Sequence, residues 1–314
     1  MSTATQNQNM QHTEDPSGRL STASCDDGRE VRPFTSDPSL PGLSFGRVLV
    51  SEFAKLRAMR STLWLSITTV VLTGLMVTMM LYSFAWMLSE QSNFIDTMGR
   101  DAAATELLNQ NLLSGMFFAF ILIGCIGVLS VTSEFGSGSI RSTMAAVPRR
   151  LTLVAAKAAA LSLFAAALGL VLILGITLAA SLFAARHDLS VDFGDVQVWQ
   201  MLGANLLMIV AVALMGLGLG LILRSSAGAI VVLAALLFVA PMAMDIITTF
   251  VEDNPAIDLI RNWQFGSLLD AARDFGEMSM MGDSVGRLEA GVGVAGWLVV
   301  SLGLGGLLFR RRDV

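Results

Sequence analysis

Six stretches of this chain are apolar for about 20 residues or more, and that leaves its backbone few options. They cover residues 63–88, 112–132, 158–185, 201–223, 227–250 and 290–309. A helix needs roughly 20 apolar residues to cross the hydrocarbon core of a bilayer. Lipid supplies no partners for backbone N–H and C=O groups, so a run of this kind must satisfy them internally as a helix. Five runs are free of charge, and 227–250 carries one acid, Asp245. The expected fold class is therefore an all-α polytopic membrane protein with six transmembrane helices. Charged residues make up 14% of the chain, well below the roughly 25% usual in soluble proteins.

The charges between the runs are sorted. Arg47, Lys55, Arg57, Arg60, Arg141, Arg149, Arg150, Lys157, Arg224, Arg310, Arg311 and Arg312 fall in one alternate set of connections. The other set holds only Arg100, Arg186, Arg261, Arg273 and Arg287, together with fifteen acids. The excess of Lys and Arg marks the cytoplasmic side. Both termini are expected there, which agrees with an even number of spans. Residues 1–44 are of another kind, rich in Ser, Thr, Asp, Gln and Pro. They hold too little apolar surface to offset ordering entropy and read as a disordered cytoplasmic tail. They also lack the apolar stretch of a signal peptide. Residues 45–314 read as one six-span domain.

Ahead of the first span, Phe45, Val48, Leu49, Phe53, Leu56 and Met59 recur at helical spacing, with Arg47, Glu52, Lys55, Arg57 and Arg60 on the opposite side. This predicts an amphipathic helix at the membrane surface, with a basic side suited to anionic lipid. The connection 132–157 is the most unusual segment. Glu134 is an acid on the basic side, at the end of an apolar run where a carboxylate is costly; Arg141 is a local partner for it. Gly136 and Gly138 permit a tight turn. Ser139–Ala146 can form a short helix that stops ahead of Pro148. On the acidic side, 89–111 and 186–200 read as loops. The longest segment, 251–289, carries Ile257, Ile260, Trp263, Leu268 and Leu269 at spacings that suit short helices at or in the outer leaflet.

Within the spans, Thr62, Ser66, Thr69 and Thr73 form a polar stripe. It serves either as hydrogen-bond glue between helices or, with Asp245 after Pro241, as part of a translocation path. Glycines of the fourth and sixth spans, Gly216, Gly218, Gly220, Gly293 and Gly305 among them, favour close helix packing. Several chemistries are excluded. A phosphate-binding P-loop needs Gly-Lys, and the only two lysines, Lys55 and Lys157, each follow alanine. His12 and His187 stand too far apart for an HExxH site, and Cys25 and Cys125 make no metal or disulfide framework. Gly291, Gly293 and Gly296 match GxGxxG, but without the strand that the dinucleotide fingerprint requires. The chain itself reads as no enzyme, with no cofactor, metal or nucleic acid of its own.

The stretch VTSEFGSGSIRSTMAAVPRR resembles the segment between the second and third spans of type-two ABC transporter permeases. The matching features are Glu134, Phe135, the pair Gly138 and Ser139, Arg141 and Pro148, with Gly136 and Ile140 between them. SEFAKLRAMRS is similar to the start of the actinobacterial branch, through Glu52, Lys55, Leu56, Arg57, Arg60 and Ser61. The resemblance covers about residues 45–314. It implies a permease subunit of an ATP-driven exporter in the bacterial plasma membrane, working as one of two copies, likewise a homodimer in the simplest case. A separate ATPase subunit would bind ATP and Mg. The 132–157 connection would be the coupling element, with the helix before the first span lying beside it. Two other readings are an ion-coupled secondary transporter using Asp245 and a non-transporting membrane scaffold.

Overall fold

A computed structural model describes residues 44–90, 99–137, 150–251, 254–275 and 285–311. Among these the chain forms helices and no strand: α1 Phe45–Ala58, α2 Arg60–Glu90, α3 Arg100–Ser137, α4 Arg150–Arg186, α5 Val196–Leu223, α6 Ser226–Phe250, α7 Pro255–Trp263, α8 Phe265–Arg273 and α9 Arg287–Arg311. The tail through residue 43, and with it the expectation of disorder, lies outside the described residues.

Six of the helices, α2 to α6 and α9, are long and apolar enough to cross a membrane. Each contains one of the six apolar runs and extends past it. The largest extension corrects the reading of 89–111 as a loop, because α3 begins at Arg100. Asp101 and Glu106 lower the hydropathy there. Ala103, Ala104, Leu107 and Leu108 nevertheless form a continuous, fully buried helical face. At 38 residues and about 1.5 Å per residue, α3 outreaches a hydrocarbon core about 30 Å thick.

Helices α3 and α5 form the centre and are mostly buried, whereas α2 and α6 are mostly exposed. The centre is close-packed because glycines remove side chains at the crossing. A Cβ on Gly127 of α3 would stand 2.1 Å from the Ala213 carbonyl oxygen of α5. One on Gly216 of α5 would stand 2.2 Å from the Gly124 carbonyl oxygen. Two helix backbones in direct contact gain dispersion and need no hydrophobic drive. Around this centre, α2 leaves Leu63, Trp64, Val71, Leu75, Tyr82 and Trp86 exposed. An apolar face of that extent would be a liability in water and is ordinary against lipid.

Helix α1 packs along α4, with Phe53 and Phe164 rings 6.4 Å apart. Its buried residues are Val48, Glu52 and Leu56, which share one face at intervals of four. Glu52 therefore sits on the buried face and not on the basic one where periodicity puts it. Phe45 is exposed. Arg47, Lys55, Arg57 and Arg60 are on the open side.

Helix α6 is interrupted. Pro241 has no N–H to return to Leu237, and a proline in a helix interior distorts the preceding turn. The chain answers with a π-helical turn at Ala235–Val239, in which the Ala240 amide donates to the Ala235 carbonyl five residues back. Gly266 of α8 fits against this turn. A Cβ there would lie 2.6 Å from Pro241 Cγ and 2.7 Å from the Leu237 carbonyl oxygen. Short helices are expected in 251–289, and among the described residues there are two, which differ in kind. Helix α7 has no buried residue, while α8 buries Phe265, Leu268, Leu269, Ala272 and Arg273.

Candidate functional site

Both lysines of the chain meet the same two glutamates. Lys157 Nζ donates to Glu52 Oε2 at 2.6 Å, to Glu134 Oε1 at 2.9 Å and to the Ser130 carbonyl at 3.1 Å. Those three bonds use the full donor capacity of an ammonium group. Lys55 bridges the same carboxylates, bonding Glu52 Oε1 and reaching Glu134 Oε1 at 3.3 Å. Lys157 and Glu52 are buried, with side chains 7% and 2% exposed, while Lys55 is 44% exposed. The network is charge-balanced and its buried ammonium is fully bonded. Those are the conditions under which buried ions are tolerated.

The local sequence explains how a lysine reaches that position. Lys157 lies in VAAKAAA, and Ala156 and Ala160 are completely buried. Small side chains let α1 approach α4 closely enough for Glu52 to reach Lys157. Burial by itself raises the Glu52 carboxyl. The Lys157 charge and the hydrogen bonds from Lys157 and Lys55 outweigh it, so the group titrates below its ordinary 4.5. Lys55 behaves in the mirrored sense. Burial lowers it, but its bond to Glu52 and the Glu134 charge prevail, and it titrates above its ordinary 10.5.

The next residue along α3 faces a different set of neighbours. The Arg224 guanidinium lies 5.0 Å over the Phe135 ring, and the Phe309 ring packs edge-on at 6.3 Å. Arg224 is the left-handed cap between α5 and α6, with φ 53°. Phe309 is near the end of α9. Consecutive residues Glu134 and Phe135 thus join the end of α3 to four other segments at this end of the bundle: α1, the start of α4, the α5–α6 turn and the end of α9. These are the segments that the sorting of basic residues groups together.

The remaining expected site residues are distributed as follows. Gly136 continues the helix, which ends at Ser137, so it does not make a turn. Gly138, Ser139, Ile140, Arg141 and Pro148 lie outside the described residues, as does the short helix expected at 139–146. The described ion-pair partners of Glu134 are Lys157 and Lys55. On the polar stripe, Thr62, Thr69 and Thr73 are buried and Ser66 is half-buried. Ser66 and Thr69 donate to carbonyls four residues earlier in their own helix. Asp245 is on α6, half exposed, and accepts from Arg261 Nε of α7 at 2.9 Å. Lys157 is the residue that motif reading missed. Its signal was a single lysine within an alanine-rich apolar run, which needs an acid from elsewhere.

The opposite end is held by neutral and charged groups together. Asn109 of α3 donates to Asp274 at 3.0 Å and accepts the Phe275 amide, and Gln197 of α5 donates to the Phe275 carbonyl at 3.1 Å. Arg273 is buried, bonds Asp270 and the Leu113 carbonyl, and lies 4.7 Å over Phe120. Among the described residues no group of histidine, cysteine and acidic side chains could hold a metal. No protein-family model matches the chain, and no curated protein matches it.

Proposed function

We propose that this chain is the membrane-spanning permease subunit of an ATP-driven exporter, energised by a separate ATPase subunit. The observation that carries the reading is the Glu52–Lys55–Glu134–Lys157 network. It joins α1 to both arms, α3 and α4, of the segment with the permease-like motif. A displacement of residues 138–149 by a nucleotide-driven partner would move the ends of α3 and α4. The network would carry α1 with them, and Phe135 would pass the motion to α5, α6 and α9. The positive-inside rule puts this end in the cytoplasm, where ATP is, with both termini on that side and α1 at the membrane surface. ATP and Mg belong to the partner. A second copy completes the pathway in a bacterial plasma membrane.

The ion-coupled alternative gains nothing from Asp245, which is half exposed and already paired. The test is affinity purification of the tagged full-length chain from its native membrane, followed by reconstitution. An ATPase subunit should accompany it, and Lys157→Ala and Glu134→Gln should leave that assembly formed but lower its ATPase activity. Purification without any nucleotide-binding subunit would overturn the proposal.

A further inference from the structure

A buried carboxylate is tolerated where a cation or several donors compensate it. Glu52 and Glu134 have lysines. Glu106, within the first two turns of α3, has none among the described residues. The residue is 4% exposed. Gln110 Nε2 donates to its Oε1 at 2.7 Å. Its Oε2 accepts from no described residue. Unlike Asn111 Oδ1 further along the helix, that oxygen is not sealed within the bundle. One neutral amide leaves most of a buried negative charge uncompensated.

Glu106 lines a cavity of about 240 Å³. Asp101 of the same helix, Asp192 and Asp195 ahead of α5, Gln197 and Phe275 also line it. Four carboxylates from two distant parts of the chain thus border one space. Asp192 and Asp195 each place one oxygen on a nearby amide, that of Gly194 at 2.8 Å and that of Gln197 at 2.9 Å. Among the described residues no Lys, Arg or His pairs with any of the four acids. Two bases at this end are engaged elsewhere. Arg100 donates to the Asp188 carbonyl, and Arg287 lies 4.3 Å over the Phe275 ring. The adjoining stretches 91–98 and 276–284 contain no Lys, Arg or His.

The acids do not converge on one point, since among the described residues no three of them could hold a metal ion. A single small ion would therefore leave most of this charge unmet. Ammonium groups joined by methylenes can meet separate carboxylates, with the spacer against Phe275. Glu106 is six residues ahead of the apolar run that begins at Leu112, about 9 Å along the helix, so a ligand can arrive from water. The positive-inside rule turns this end away from the cytoplasm. We infer that the cavity binds a small organic di- or polyamine from the aqueous phase, with one ammonium group on Glu106 and another on the aspartates. The site does not depend on the exporter reading, because the experiment measures binding and not transport.

The full-length protein is reconstituted in phosphatidylcholine nanodiscs, and binding of radiolabelled spermidine is measured at constant ionic strength. One saturable site per chain is expected. Spermidine should also raise the unfolding midpoint, as any ligand of the folded state does. Glu106→Gln keeps the side-chain shape and should weaken binding about ten-fold, the contribution of one hydrogen bond between charged groups. Asp101→Asn, at an exposed residue, should weaken it about three-fold. It also remains informative if Glu106→Gln fails to fold. Asp258→Asn on α7, outside the cavity, should leave the affinity unchanged. Unaltered affinity in Glu106→Gln, or no saturable binding up to about 1 mM, would overturn the inference. So would an equal loss in Asp258→Asn, or full displacement of spermidine by Mg²⁺ at matched ionic strength, either of which would show diffuse attraction of counterions only.

Discussion

The two ends of the bundle are held together by different chemistry. At the α1 end the ties are charged, buried and long-range. Lys157 meets Glu52 across 105 residues of sequence and Lys55 meets Glu134 across 79. At the α8 end the described charge pairs are closer in sequence, Asp270 with Arg273 three residues on and Asp245 with Arg261 sixteen residues on. There the connections between distant segments join a charged group to a neutral one or two neutral ones, Asn109 to Asp274, Arg273 to the Leu113 carbonyl and Gln197 to the Phe275 carbonyl. Removing one member of a buried ion network is costly, because it leaves buried charge less compensated. Amide contacts are individually modest. At the α1 end one buried ammonium holds two other helices at once, whereas the α8 end is tied by separate contacts.

The largest effect is expected from Lys157→Ala, which removes the buried ammonium shared by Glu52 and Glu134. It should destabilise the protein by about 3–5 kcal/mol, read as a lowered unfolding midpoint in detergent. A cost below about 1 kcal/mol would break the contrast, since a surface pair costs that much. Next comes the crossing that separates the two ends. Gly127→Ala forces a methyl against the Ala213 carbonyl, and overpacking of this kind costs about 1–3 kcal/mol. Gly303→Ala, where a Cβ meets nothing within 4 Å, should be close to silent in the same assay.

Acid should separate the ends without any mutation. Glu52 titrates below 4.5 in the folded protein, so its contribution is present above that value and is lost as pH falls through the folded one. Amide hydrogen exchange in α1, corrected for intrinsic rates, should rise in that window relative to α8. Equal change in both helices would remove the distinction. The smallest effect belongs to Asp245→Asn. Its pair with Arg261 is 50% and 31% exposed, and exposed pairs contribute about 0.2–1 kcal/mol. A loss comparable to that of Lys157→Ala would mean that an exposed pair at the far end matters as much as the buried network.

The six long apolar helices were legible because bilayer length and backbone satisfaction leave one solution for a long apolar run. The short helices in 251–289 were legible from spacing alone. Two features were not. Hydropathy ended the second span near Leu112, although α3 begins at Arg100, because Asp101 and Glu106 masked the buried alanines and leucines beside them. Periodicity placed Glu52 with the bases, since a moment counts polarity and is blind to a partner on another helix. The partner was nevertheless implied. Ahead of the last three residues, the basic side has only two acids outside the tail, Glu52 and Glu134, to match its two lysines. Gly136 misled for a simpler reason. Glycine permits a turn without requiring one.

The placement of the lysines gives the molecule a chemical clock of its own. Amine-reactive reagents have two side-chain targets in this sequence, Lys55 and Lys157. Lys55 is accessible in the folded state, while Lys157 is enclosed and bonded to three acceptors. Acylation at Lys157 therefore requires that α1 come away from α4, and Lys55 in the same peptide pool serves as the reference for reagent activity. The ratio of the two modifications reports how often this end opens, in an intact membrane and without an introduced probe.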